Sequence, residues 1–272
     1  MSRDLAVEDL PGDLAFSIPG EAEHRADEVF PLASAGKLLL LMTVARGFTQ
    51  GDLDPEEPLL LQEDDYCAGS GLLIKLSPRR WTLSDLARLT AAVSDNTATN
   101  ALLRRVGLDR VAADAAALGL VHTRILDRIR EPRLPGHPPT FAVGTARELA
   151  DLVAQDPQVL EWMASCTDRG MVAAAIPHDP EDSAVREVPV SGLWVANKTG
   201  TDVGVRCDVG VVRGARQVRY AVLTRCPPGR EFEMVQAMRV IGTRIATLSR
   251  ATRASSPRPP GAADRVVQSI HY

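Results

Sequence analysis

In the stretch FPLASAGKLLLLMTVA, Ser34 and Lys37 stand three residues apart at the head of an apolar run. In helical backbone that spacing puts both side chains on one face, so the Lys37 amine comes within reach of the Ser34 hydroxyl. A serine beside an amine is a nucleophile with its own base, able to attack a carbonyl and form an acyl-enzyme. The amine must first shed its proton, and a second cation nearby lowers its pKa. The same spacing also fits a serine that caps a helix and a lysine that snorkels to water, so the chemistry depends on what else the chain brings to this point.

Two tripeptides supply that company. Ser94-Asp95-Asn96 falls between two predicted helices, and Lys198-Thr199-Gly200 ends a predicted strand. Each alone reads as a local feature, a capping turn or a strand end with a lysine. In the order SxxK, SDN, KTG they resemble the signature of class A β-lactamases and penicillin-binding proteins. The segments FPLASAGKLLLL and AAVSDNTATNALL extend the resemblance beyond the motifs, and it covers roughly Gly12 to Arg250.

The resemblance implies a serine hydrolase that opens β-lactam amides through an acyl-Ser34 intermediate, without metal or cofactor. Lys37 then activates Ser34 or supports its network, Ser94 passes a proton to the leaving nitrogen, and Asn96 bonds the substrate's side-chain amide. Lys198 lies beside Ser94 and favours the anionic end of a substrate. The oxyanion hole uses the N–H groups of Ser34 and Thr201, beyond Gly200, and the hydroxyls of Thr199 and Thr201 hold a carboxylate. Arg206 either points toward that carboxylate or faces solvent from its strand, and Tyr66 is either a wall of the cleft or a packing residue. Two rivals keep the fold: the same machinery acting on another ester, amide or D-peptide, and a ligand-binding protein without turnover.

The resemblance also implies a glutamate, on the loop after SDN, that positions the deacylating water. Here the loop reads ILDRIREPRLPGHPPT, and Glu131 is its only acidic residue between Arg128 and Arg147. Either Glu131 is the deacylation base or the loop supplies none. Aligning EP puts Pro135 where the family has a water-holding asparagine, and proline has no side-chain amide. Arg128 has no later acidic partner in the loop to clamp it.

These residues need elements to hold them. GDLAFSI alternates as a strand, with HRADEVFPL as its hairpin partner after the turn at Pro19-Gly20. A helix that is apolar nearly all round, and therefore central, follows from about Ser34 to Arg46. Further helices are predicted at Leu83–Ala92, Thr97–Val106, Asp109–Leu118, Ala146–Ala154 and Pro157–Ser165. TLSD resembles a capping box. Four prolines and a glycine in DRIREPRLPGHPPT exclude regular structure there, and long irregular loops are commonly functional. GLWVANKTG, VRCDVGVVRG and QVRYAVLTR read as an antiparallel meander, and EFEMVQAMRVIGTRIATLSR as an amphipathic helix. The expected fold is therefore α/β (α+β), an antiparallel sheet built from both ends of the chain and flanked by helices, with an inserted all-helical subdomain. Residues 1–49 and 186–250 form the sheet lobe, 50–185 the helical lobe and 251–272 a flexible tail.

Composition sets the outer bounds. The 272 residues can bury a full core, and 45% hydrophobic with 24% charged residues is ordinary for a soluble protein. A net charge of -4 from interspersed charges, with only 4% aromatics, argues against nucleic acid as a partner, and the resemblance implies a small-molecule substrate. The N-terminus MSRDLAVEDLPGDLAF lacks a secretory pattern, and the run LLLLM is too short to cross a bilayer, so the cytoplasm is the expected location unless a leader has been removed; a monomer is the expected state. Cys67, Cys166, Cys207 and Cys226 are widely spaced and read as reduced thiols, with no zinc spacing among them or the five histidines.

Overall fold

The computed structural model describes residues 9–184 and 192–251. DLAFSI forms strand β1 (Asp13–Ile18), and β2 (Ala22–His24) folds back on it. The predicted hairpin partner stops there. Arg25 turns left-handed at φ 48°, and the two residues of β3 (Phe30–Pro31) pair instead with a strand from the middle of the chain. The apolar run then becomes α1 (Lys37–Gln50), with Ser34 in the tight 3-10 turn Ala33–Gly36 just before it. Leu38, Leu39, Leu40, Leu41, Met42 and Val44 are all buried, at about 2 kcal/mol of hydrophobic stabilisation each.

The middle of the chain is mostly helical. The short pair β4 (Pro58–Leu60) and β5 (Arg80–Thr82) precedes α2 (Leu83–Ala92), α3 (Asn96–Val106) and α4 (Leu108–Ala117). The Thr82 hydroxyl caps α2 by accepting Asp85 N–H at 3.0 Å. Strand β6 (Arg124–Ile125), the proline-rich loop and β7 (Ala142–Gly144) follow, and β7 lies between β3 and β6. Helices α5 (Ala146–Leu152) and α6 (Pro157–Ala164) complete this part, α6 starting at a proline capped by Asp156.

The meander forms as predicted: β8 (Trp194–Asp202), β9 (Val205–Arg213) and β10 (Gln217–Arg225), before α7 (Glu231–Arg250). The sheet order is β2-β1-β10-β9-β8, so both ends of the described chain build it and β8 forms an edge. Inner residues of β8, β9 and β10 are buried on both sides, because α7 covers one face while α5, α6 and the Ala33–Gly36 turn lie against the other. Two apolar cores result. One gathers α1 to α6 with one face of the sheet, and the second joins the other face to Met234, Met238, Ile241 and Ile245 of α7. Apart from Ala251, the expected tail lies outside the described residues. No described helix is long and apolar enough to cross a membrane. All four cysteines are free.

Candidate active site

The turn that carries Ser34 is shaped by its neighbours. Ala33 adopts a left-handed φ of 45°, and Gly36 packs so closely on β7 that a Cβ there would meet the Ala142 Cβ at 2.3 Å. The edge strand β8 lies against the same turn. A Cβ on Gly200 would come within 2.2 Å of Leu32 O and 2.8 Å of Ala35 N, so the glycine of KTG is the residue that lets strand and turn touch. Ser34 is half-buried, and among the described residues its hydroxyl makes no hydrogen bond.

Behind it stand two lysines with no solvent exposure at all, Lys37 and Lys198. Lys37 Nζ donates to Ser94 O (2.6 Å), Ser94 Oγ (3.2 Å) and Asn96 Oδ1 (2.8 Å). Lys198 Nζ donates to the same Ser94 Oγ (3.0 Å) and to Thr199 O (2.9 Å). Lys37 follows Ser34 by three residues as expected, but its bonds run to Ser94 and Asn96 and none of them reaches the Ser34 hydroxyl. Burial holds the Lys37 amine well below the ordinary lysine range, and the Lys198 charge pushes the same way. Burial lowers Lys198 too, against the opposing charges of Cys166, Asp168 and Asp208.

The SDN turn is held from both sides. Ser94 sits at a left-handed φ of 55°, between the end of α2 and the start of α3. Asp95 caps α3 by accepting Ala98 N–H (2.9 Å), and its other oxygen accepts Leu72 N–H (2.6 Å) and Leu73 N–H (2.9 Å). Asn96 Nδ2 donates to Ala68 O at 2.7 Å, so the asparagine ties the 68–73 loop to Lys37 and keeps one N–H free.

A cavity of about 110 Å³ joins these parts, lined by Ser34, Ser94, Lys198, Thr199 and Thr201 with Ser70, Cys166 and Asp168. The structure therefore unites the three motifs. Thr199 is buried and its hydroxyl donates to Asp168 Oδ2 at 2.7 Å, whereas Thr201 is exposed. Arg206 is not among the lining residues; its guanidinium donates to the carbonyls of Asp202 and Val205, both at 2.7 Å. A larger cavity of about 280 Å³, lined by Met42, Arg46 and Leu118 among others, lies toward the far end of α1 and contains no motif residue.

Glu131 and Tyr66 line a second cavity of about 220 Å³, with Cys67, Asn100, Arg128 and His137. Cys67 connects the two regions. Burial pushes its thiol up, the Glu131 charge acts the same way, and Lys37 opposes both. The loop is anchored by Asn100, whose Oδ1 accepts Ile129 N–H (2.8 Å) and whose Nδ2 donates to Ile129 O (3.0 Å). Arg128 finds its partner earlier in the chain, donating to Asp64 O at 2.6 Å with the Asp64 carboxylate at 3.8 Å. Arg133 pairs with Asp202 of β8 at 3.1 Å. The Tyr66 ring packs under the Arg79 guanidinium, 5.5 Å from its centroid.

Asp168, Thr167 and Ser70 are polar lining residues that sequence reasoning missed. All three lie in irregular segments outside any motif. No three His, Cys, Asp or Glu side chains among the described residues are grouped to hold a metal ion.

Comparison with known proteins bears on this geometry. Residues 11–248 match the model of the β-lactamase enzyme family. A β-lactamase of Citrobacter koseri is 29% identical over 206 residues, which span 70% of this chain and 65% of that protein, slightly less than two thirds of its length. A β-lactamase of Streptomyces fradiae is 29% identical over 226 residues, covering 78% of this chain and 72% of that one. Among solved structures, a β-lactamase from Sphaerobacter thermophilus DSM 20745 superposes with a TM-score of 0.75 at 26% identity, covering 90% of this chain and 95% of its own. PBP-A shares the fold with a TM-score of 0.74 at 22% identity, over 89% and 92% of the two chains.

Proposed function

The chain belongs to the β-lactamase enzyme family, and from that premise we propose that it is a serine hydrolase that opens β-lactam amides through an acyl-Ser34 intermediate. The observation that carries the reading is Ser94 Oγ, bonded at once to two fully buried amines at the wall of the cavity that holds Ser34. Two desolvated lysines on one hydroxyl are expensive in a binding module and useful in a proton relay.

In its neutral form Lys37 has two N–H groups and one lone pair. Ser94 O and Asn96 Oδ1 take the two protons, which leaves the lone pair to accept from Ser94 O–H. Lys198 N–H donates into the same oxygen. As Ser34 Oγ bonds to the substrate carbonyl carbon, its proton passes to Ser94 Oγ while Ser94 gives its own proton to the Lys37 lone pair; as the C–N bond breaks, Ser94 delivers a proton to the amide nitrogen and takes one back from the Lys37 ammonium. The N–H groups of Ser34 and Thr201 receive the developing oxyanion. Water then attacks the ester carbonyl, with Glu131 as the base, releasing the acid and restoring Ser34. Lys198, Thr199, Gly200 and Thr201 form the substrate-facing edge, Asn96 offers its remaining N–H, and Tyr66 lies on the loop side.

The test is the rate of β-lactam ring opening in wild type, Ser34→Ala and Glu131→Gln. The reading expects no turnover above background in Ser34→Ala, and in Glu131→Gln an acyl-enzyme that forms normally and accumulates. Ring opening that survives in Ser34→Ala would overturn it.

A further inference from the structure

The cavity beside Ser34 carries an unexpected charge. Asp168 lines it and is exposed, with Oδ2 accepting the Thr199 hydroxyl at 2.7 Å and Oδ1 accepting Gly170 N–H at 3.1 Å. A carboxylate has about four lone-pair positions, so roughly two remain for an incoming group. Thr199 has a single hydroxyl proton, already directed to Asp168, and can offer a ligand only its lone pairs. The Asp168–Thr199 pair thus presents a ligand with acceptors only; of the lining hydroxyls beside it, Thr167 already donates to Ala92 O, while Thr201 can donate or accept.

The neighbouring cations do not reverse that. Lys198 is buried and bonded to Ser94 Oγ and Thr199 O, which leaves one of its three N–H groups. The Arg206 guanidinium lies on the carbonyls of its own turn. Arg169, next to Asp168 in sequence, points its guanidinium into the fold, donating to Val195 O, Asn197 Oδ1 and Ala164 O. Among the lining residues, one cation in Lys198 faces one anion in Asp168, and the anion is the exposed member of the two.

We propose that the cleft selects substrates whose group beside Thr199 is a hydrogen-bond donor, an ammonium or a neutral amide or hydroxyl, over substrates with a carboxylate there, and that Asp168 determines this preference. The inference rests on the acyl-Ser34 reading and deepens it. A second carboxylate placed against Asp168 meets like-charge repulsion that solvent only partly screens, on the order of tenfold in affinity at such a site. An ammonium at the same point gains by a similar factor.

Three probes that differ only in this group test it: benzylpenicillin, its methyl ester and its 2-aminoethyl ester. The readout is the second-order rate of Ser34 acylation by intact mass, each divided by the probe's own rate with hydroxide. In wild type the aminoethyl ester is expected to be fastest, the methyl ester intermediate and the free acid slowest. Asp168→Asn should raise the normalised rate of the free acid relative to the aminoethyl ester by about tenfold or more. A wild-type preference for the free acid over both esters would overturn the inference without any variant being needed. Unchanged ratios in a folded Asp168→Asn would overturn it as well. No Ser34 adduct from any of the three probes would overturn the acyl-serine reading itself, and this inference with it.

Discussion

Asp95→Ala removes a side chain that touches no substrate, yet it should disable the site. The carboxylate holds three backbone N–H groups: Ala98 at the start of α3, and Leu72 and Leu73 in the loop that faces it. Loss of the helix cap costs about 1 kcal/mol. Leaving the buried Leu73 N–H unpaired costs about 2 kcal/mol, and the half-buried Leu72 N–H about 1. The sum, about 4 kcal/mol, corresponds to a fall in Tm of about 10 °C for a domain of this size. Asp95→Asn should rescue only the cap, because its amide would turn a donor toward the two loop donors. Thermal unfolding of the three proteins, with Ser34 acylation measured well below each transition, checks both parts. The expected order is wild type, then Asp95→Asn, then Asp95→Ala, with acylation falling in step as the left-handed Ser94 loses its frame. A Tm of Asp95→Ala within about 2 °C of wild type, or full rescue by asparagine, would refute the reasoning.

Three further outcomes follow from other parts of the structure. Because burial and Lys198 hold the Lys37 amine low, the acylation rate should rise with pH along a limb well below the ordinary lysine range; Lys37→Met should erase that limb and slow acylation by about a thousandfold, measured as a pH profile. Burial pushes Asp208 up to about 6, although Asn197, Tyr220 and the N–H groups of Val172 and Ala173 all donate to it. The native state then binds more protons than the unfolded chain between the two pKa values. Stability from this residue is therefore present below the unfolded value and is lost as pH rises, by about 1 kcal/mol between about pH 5 and about pH 7.5. Asp208→Asn, though less stable throughout, should lack that slope in denaturant titrations. Asp202→Asn frees Arg133 from β8; the pair is half-exposed, so stability should change by less than about 1 kcal/mol, while amide exchange across Arg128–Thr140 should quicken severalfold.

What the sequence disclosed about the site was what its local motifs encode. Ser34, Lys37, Ser94 and Lys198 could be found because their motifs are short and ordered, and the packing that joins them requires small or polar residues next to them, as at Gly200. Asp168 stayed hidden because it reaches the cavity through an irregular segment whose path depends on tertiary contacts. The direction of Arg206 was equally undetermined, since strand alternation fixes a face but not whether a guanidinium turns back onto the carbonyls of Asp202 and Val205. The meander and most helices were legible from periodicity and caps. HRADEVFPL was misread as one strand because nothing in its pattern marks the left-handed Arg25 that divides it. The helix expected from Ser34 instead begins at Lys37, after a turn whose left-handed Ala33 no propensity would favour. Arg128 does have a clamp, but Asp64 lies so far back in the chain that inspection of the loop alone could not supply it.

The most direct measurement is a time course of intact-protein mass after mixing with benzylpenicillin, beside Ser34→Ala. The account predicts an adduct of one penicillin, mapped to Ser34, that appears and then decays as ring-opened product accumulates, with none in the variant. Absence of any adduct at saturating penicillin, or an equal adduct on Ser34→Ala, would contradict it.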